Sequence, residues 1–262
     1  MEDVHIKKFK KQMVKQNIYL CRTGLYKDLQ IYKSIKRVYD DSYKIESTRN
    51  FGEVYVTNEQ SLDIAKKYID KKCKVAVLNP INADFIDSNI DDIAGIHDDL
   101  ILFSTNFCIY ANDAYQLKKK EVLLSPNVSI IRDKLEFTTD IFTLGIITAL
   151  SSSGVKLIKN RLSVEDYLMA KELIETVFQT AHIAKYDVLV LTNFGRLDNY
   201  PIEDISDILN MCILDYGQLF KYIVISVHGK VNSDLEHFEY LDKNIIRLQD
   251  LGRDDSPEIT RE

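Results

Sequence analysis

Apolar positions along the chain fall into two rhythms, and the switch between them marks out its elements. From residue 3 to 23, Val4, Ile6, Phe9, Met13, Ile18 and Leu20 recur among lysines at a helical spacing, and Gly24 is placed to stop that helix. Gln30–Asp40 is a short mixed segment. Phe51–Thr57 (FGEVYVT) alternates and is β-branched, which predicts a strand. Asn58 follows as an expected helix N-cap, with Ser61–Lys71 as the helix. Lys74–Leu78 (KVAVL) predicts a buried strand, and after it comes an irregular acidic stretch to Gly95. His97–Phe107 has helical spacing; Glu121–Leu124 and Val128–Arg132 predict two strands around Ser125-Pro126-Asn127. Phe142–Leu150 is an apolar strand entering Ser151-Ser152-Ser153-Gly154. Ser163–Ala184 carries a clear amphipathic pattern, with Leu168, Leu173, Ile174, Val177 and Ala181 on one side. Val188–Leu191 (VLVL) is a central strand, Ile202–Phe220 a helix and Tyr222–Val227 a last strand. The segment after Lys230 is charged and weakly patterned.

Strands alternate with helices, and their apolar runs are continuous. That combination predicts a mostly parallel sheet covered on both faces. In such folds ligands sit outside the carboxyl ends of the strands, where loops meet helix N-termini. The loops that matter are therefore those after Leu78, Leu150 and Leu191.

Composition narrows the function. The chain has 262 residues, 45% hydrophobic and 28% charged, enough apolar mass for a core. Its 34 basic and 40 acidic residues leave a net charge of −6, which argues against a protein that wraps nucleic acid. No run approaches the ~20 apolar residues of a membrane span, and the lysine-rich start lacks the apolar core of a secretory signal. Cys21, Cys73, Cys108 and Cys212 are far apart, with no CxxC or Cys/His cluster, so no metal site is expected. An intracellular location with reduced thiols is the expectation, and no cofactor is implied.

Three loops carry candidate chemistry. After the first buried strand, Asn79 and Asn82 stand where amide donors and acceptors hold sugar hydroxyls, although Asx turns explain the same residues. Further on, His97-Asp98-Asp99 opens a helix; carboxylates there suit the helix dipole and also suit acid/base work at a ribosyl centre. Ser152 and Gly154 lie in a hydroxyl-rich loop that can wrap a phosphate or ribose. Asn193-Phe194-Gly195-Arg196 follows the VLVL strand: Gly195 permits a tight turn, backbone N–H groups make an anion nest, Arg196 adds charge, and Phe194 is a candidate nucleotide-stacking ring. Dinucleotide, Walker, GxSxG, HExxH and kinase signatures are absent. His182, His228 and the Lys118-Lys119-Lys120 run read as structural or solvated residues, and Tyr110 and Tyr115 are weaker stacking candidates than Phe194.

Taken in order, these segments resemble a divergent member of the microbial-type poly(ADP-ribose) glycohydrolase family, a branch of the macro domains. The likeness runs from about Met13 to Val227. It is carried by Thr23-Gly24-Leu25-Tyr26, Val54-Tyr55-Val56-Thr57-Asn58-Glu59 and Val77-Leu78-Asn79-Pro80-Ile81-Asn82-Ala83. Further on it is carried by Leu124-Ser125-Pro126-Asn127-Val128-Ser129-Ile130-Ile131-Arg132-Asp133, Asp187 to Gly195, and Phe220 to Val227.

The resemblance implies a three-layer α/β/α sandwich with a mixed, mostly parallel sheet. It divides the chain into an N-terminal helical extension (1–50), a macro-like domain (51–230) and a charged tail (231–262). It implies a cleft for ADP-ribose or another NAD-derived nucleotide, free or on a modified protein. The family's Q-E-E falls on His97-Asp98-Asp99, which implies Asp99 as the acid and Asp98 as its neighbour and ribose contact. The family's triple glycine falls on Asp87-Ser88-Asn89, whose side chains crowd a diphosphate. Aspartate in place of glutamate also withdraws the carboxylate by roughly 1.5 Å, and about 1 Å of misplacement costs on the order of 100-fold in rate. Three functions follow: an ADP-ribosyl hydrolase, an ADP-ribose reader without turnover, and an interaction protein with a closed cleft. Binding is the expectation ahead of hydrolysis.

Overall fold

The lysine-rich start of the chain forms α1 (Glu2–Arg22), and Gly24 follows two residues after its end. In the computed structural model the described residues are 2–45, 51–82, 101, 104–109, 117–118, 120–133, 136–151, 155–192, 194, 200–227 and 238–245. Strand β1 (Ile35–Val38) lies in the mixed segment before the gap; β2 (Glu53–Thr57), α2 (Ser61–Asp70) and β3 (Val75–Asn82) follow it. Next come β4 (Glu121–Asp133), β5 (Glu136–Ser151) and a small hairpin, β6 (Leu157–Ile158) and β7 (Arg161–Leu162). The chain goes on with α3 (Val164–Ile183), β8 (Val188–Leu191), α4 (Ile202–Tyr216) and β9 (Tyr222–Ser226).

Seven strands make one sheet in the order β1-β4-β5-β3-β8-β9-β2. The five strands from β5 to β2 are mutually parallel; β4 is antiparallel to both of its neighbours. The mixed α/β sandwich expected from sequence is the fold. One face packs on α3 and α4 through Phe178, Ile208, Ile213 and Phe220. The other packs on α1 and α2 through Val14, Leu62 and Ala65, joined by Phe107.

Several local readings change. The two short strands around Ser125-Pro126-Asn127 are one strand, β4, with a register shift between Ser125 and Val128. Proline has no N–H to give the ladder, and Asn127 takes φ 53°, so the chain bulges and pairing resumes beyond. Gln60, not Asn58, is the N-cap of α2. The Thr57 hydroxyl accepts the N–H of Glu59 at 3.2 Å, a local turn that delays the helix. The α3 start is as read: Ser163 is its N-cap and accepts from Asp166 N–H at 3.2 Å. Residues 238–245, read as charged tail, are helical and place Leu241 and Ile245 in the core beside α4, while Glu239 and Lys243 pair outside. β1, within the segment read as an N-terminal extension, is an edge strand of the sheet itself.

Asp187 fastens the amino ends of three strands. Its carboxylate accepts from the Lys74 N–H at 2.9 Å and pairs with the Lys221 ammonium at 2.9 Å. Its backbone N–H donates to Lys74 O and its carbonyl accepts from Lys221 N–H, both at 2.8 Å. Burial pushes the carboxyl pKa up, but the Lys74 N–H and the Lys221 charge outweigh it and hold the group below its usual value.

Candidate functional site

Parallel strands β5, β3 and β8 lie side by side, so the three loops nominated from sequence leave the sheet at one edge. The ladders there are unequal. β3 stays paired with β5 to its end, Asn82 opposite Ser151. Against β8 it pairs only from Val75 to Val77. β8 meanwhile remains with β9 as far as Leu191 opposite Ile225. Beyond Val77 the sheet therefore splits, with Asn79–Asn82 on one lip and Leu191–Thr192 on the other. The carboxyl edge of a mostly parallel sheet, where neighbouring strands stop pairing, is the usual seat for a polar ligand.

The root of the split is closed by side chains. Thr192 donates its hydroxyl to the Leu78 carbonyl at 2.9 Å, taking over where the β3–β8 ladder stops. On the far side, Asn79 Nδ2 donates to Thr148 Oγ1 at 3.3 Å, tying β3 to β5. Asn79 is 0% exposed, so its amide shapes the wall of the split. Further along the edge, Ser226 donates to the Glu59 carbonyl at 2.7 Å and Val227 N–H to the Thr57 carbonyl at 2.9 Å, joining β9 to the turn after β2.

Phe194 is a correction. As a stacking ring it needs an open face; it is 2% exposed and sits in the core on the α3–α4 face. Its ring stacks on Tyr200, with centroids 5.9 Å apart and planes 24° from parallel. The two rings thus bring together the ends of the segment from Gly195 to Asn199. A buried aromatic pair gains more from the apolar core than from solvent, and that pulls Phe194 inward.

Asn82 is the last residue of β3, and only its backbone is described. His97, Asp98, Asp99, Ser152, Gly154, Asn193, Gly195 and Arg196 lie outside the described residues. Their neighbours in sequence are placed. Ser151 lies opposite Asn82 at the split, and Thr192 and Phe194 flank Asn193. After His97–Asp99, Ile101, Thr105 and Phe107 are buried; Thr105 bridges to Ile130, and Asn106 Oδ1 accepts from Ser129 N–H at 2.8 Å. The segment leaving the candidate carboxylates is thus anchored on β4. A groove of about 520 Å³ lies on the same face, lined by α2, Ser104 and the end of β4, with the Lys66–Asp133 ion pair at 3.2 Å.

Sequence reading passed over Thr192, Thr148 and Tyr200 as site-shaping residues. Thr148 opens the TALSSSG run and Thr192 directly follows VLVL, so a hydroxyl at a strand's carboxyl end was the available signal. His182 shares a short hydrogen bond with Tyr43. Cys21, Cys73 and Cys212 are free thiols, and burial raises Cys21 to about 11. Among the described residues no group of three or more His, Cys, Asp or Glu is arranged to hold a metal ion, and no helix is long and apolar enough to cross a membrane.

No protein-family model matches the chain, and no curated protein matches it in sequence. Solved structures do. The poly(ADP-ribose) glycohydrolase from Thermomonospora curvata superposes with a TM-score of 0.67 at 13% identity, over 90% of this chain and 99% of that one. The Deinococcus radiodurans glycohydrolase T267R mutant in complex with ADP-ribose gives 0.62 at 12% identity, over 92% of each chain. The same enzyme in its apo form gives 0.60 at 12% identity, over 92% of this chain and 90% of that one. With its strand order and two helical layers, the chain has the macro-domain-type α/β/α fold of these bacterial poly(ADP-ribose) glycohydrolases.

Proposed function

We propose that the protein binds ADP-ribose, free or carried on a modified protein, in the split between β3 and β8. The observation that carries this reading is the divergence of those strands beyond Val77, at the edge where the candidate loops begin. The likeness to a glycohydrolase solved with ADP-ribose supports the choice of ligand. In this proposal Asn82, Ser152 and Gly154 contact ribose and phosphate from the β3–β5 side. Asn193, Gly195 and Arg196 supply N–H groups and charge from the β8 side. Asn79, through Thr148, and Phe194, through Tyr200, hold the walls in place. His97 and Asp98 approach the second ribose, and Asp99 is the acid if the glycosidic bond is cut. Titration calorimetry with ADP-ribose, AMP and ribose 5-phosphate tests this. Heat with ADP-ribose that exceeds either fragment supports it, and no heat at millimolar ADP-ribose refutes it.

A second reading is an interaction protein with a closed cleft. The burial of both Asn79 and Phe194 favours it. In that case none of the three ligands gives heat.

A further inference from the structure

The outer surface of the α3–α4 layer carries a group of exposed apolar side chains. Leu157, Ile158, Val164, Leu168, Met211 and Leu214 are between 41% and 76% exposed. They belong to three elements that are fastened together. The β6–β7 hairpin is sealed to the first turn of α3: the Lys156 carbonyl accepts from Ser163 N–H at 2.8 Å, and the Lys156 N–H donates to the Asp166 carboxylate at 3.0 Å. Arg161 of the hairpin pairs with Asp204 and Asp207 of α4, the latter at 2.8 Å. Tyr167 of α3 donates its hydroxyl to Met211 Sδ of α4 at 3.5 Å. An exposed apolar area rimmed by charge marks a contact surface. The charges here are sorted by element. Val155–Leu162 carries Lys156, Lys159 and Arg161 and no carboxylate; α4 carries Glu203, Asp204, Asp207 and Asp215 and no cation. Among the described residues Arg161 is taken by Asp204 and Asp207, which leaves Lys156 and Lys159 exposed on the hairpin and Asp215 exposed on the helix.

We propose that this face receives a second copy of the chain, related by a two-fold axis that crosses α4 close to Met211. The spacing along α4 carries the choice. Asp207, where the chain's own hairpin docks, lies four residues before Met211, and Asp215 lies four residues after it, on the same side of the helix. An axis at Met211 runs the two α4 helices antiparallel and lays each hairpin on the other copy's Asp215. Lys156 and Lys159 meet that carboxylate on both sides of the axis. Leu168, Met211 and Leu214 of the two copies close on one another between these charged ends. A foreign partner of one sign matches only half of the face: an acidic one suits the hairpin and is repelled by α4, and a basic one the reverse. A parallel arrangement of the two copies is rejected in the same way, with hairpin set against hairpin. The hairpin and two helices offer the roughly 20–30 residues a side that a standard interface uses.

Sedimentation velocity of the full chain tests the proposal without any nucleotide. The expected result is a concentration-dependent dimer that weakens about tenfold in half-molar salt. Lys156→Glu/Lys159→Glu and Asp215→Lys should each weaken it by about tenfold or more, because each sets like charges against one another across the axis. Mixed in equal amounts, the two variants should form a heterodimer of near wild-type affinity, since in that pair every hairpin faces the opposite sign. Recovery on mixing also shows that both variants are folded, and circular dichroism checks each alone. A chain that stays monomeric at millimolar protein would overturn the proposal and leave the face to a partner of another kind. So would a dimer that neither variant weakens, which uses another surface, or two folded, monomeric variants that fail to pair on mixing.

Discussion

The Thr192 hydroxyl donates to the Leu78 carbonyl at 2.9 Å, at the point where β3 and β8 part. One hydroxyl there does the work of the next rung of the ladder, and the β8 loop departs immediately after it.

Thr192→Val keeps shape and removes the bond. It should weaken ADP-ribose binding about tenfold while costing about 1–2 kcal/mol of stability. Thr192→Ser should restore the affinity. Calorimetry on the three proteins decides; equal affinities would mean that the root of the split does not position the ligand.

In the proposed function Asp99 takes the place of the glutamate in the resembled family. If the carboxylate is placed for chemistry but short, Asp99→Glu should speed release of ADP-ribose from poly(ADP-ribose), by up to about 100-fold. Asp99→Ala should abolish release and leave binding intact. Chromatography of released ADP-ribose is the readout. Unchanged release by the alanine variant would remove Asp99 from the mechanism.

The lowered pKa of Asp187 makes stability depend on acid. Its contribution is present above the unfolded carboxyl pKa, about 3.9, and is lost as pH falls through the depressed folded value. At neutral pH Asp187→Asn should be less stable by about 1–2 kcal/mol, and the gap should close below about pH 4. Thermal melts of both proteins across that range provide the check. Parallel curves would show that the carboxylate is not the linked group.

Gly145 leaves room for a ring. A Cβ there would lie 2.3 Å from Tyr186 Oη and 2.4 Å from its Cζ. Tyr186 is itself confined, with burial pushing its pKa up to about 12. Gly145→Ala should cost about 1–3 kcal/mol by overpacking, and Tyr186→Leu in that background should recover part of the loss. Denaturant titration measures both; an unshifted midpoint for Gly145→Ala would mean that the ring has somewhere to go.

Much of this architecture was legible as one-dimensional pattern. VLVL, KVAVL and the stripe along Ser163–Ala184 report burial directly, because a side chain that must leave water repeats at the period of its own backbone. The order of the loops after β3, β5 and β8 follows from that pattern, and with it the edge nominated for a ligand. Other features could not be read so. Residues 238–245 set Phe238, Leu241 and Ile245 at helical spacing, but eight residues inside a charged segment are a short window, and it is the core beside α4 that takes up Leu241 and Ile245. Phe194 directly precedes Gly195, and its ring is taken out of solvent by the core on the α3–α4 face, where it stacks on Tyr200 six residues on.

Local sequence thus determined the class of fold and most of the strand and helix segments, and it nominated the candidate loops, since each depends on a residue's own neighbours. The tertiary structure alone decided that β4 is one bulged strand, that the β3–β8 ladder stops at Val77, and that β1 joins the sheet beside β4. Those outcomes rest on which distant strands find each other. Strand pairing is settled by packing of the whole sheet between its two helical layers, and no window of the chain holds that information.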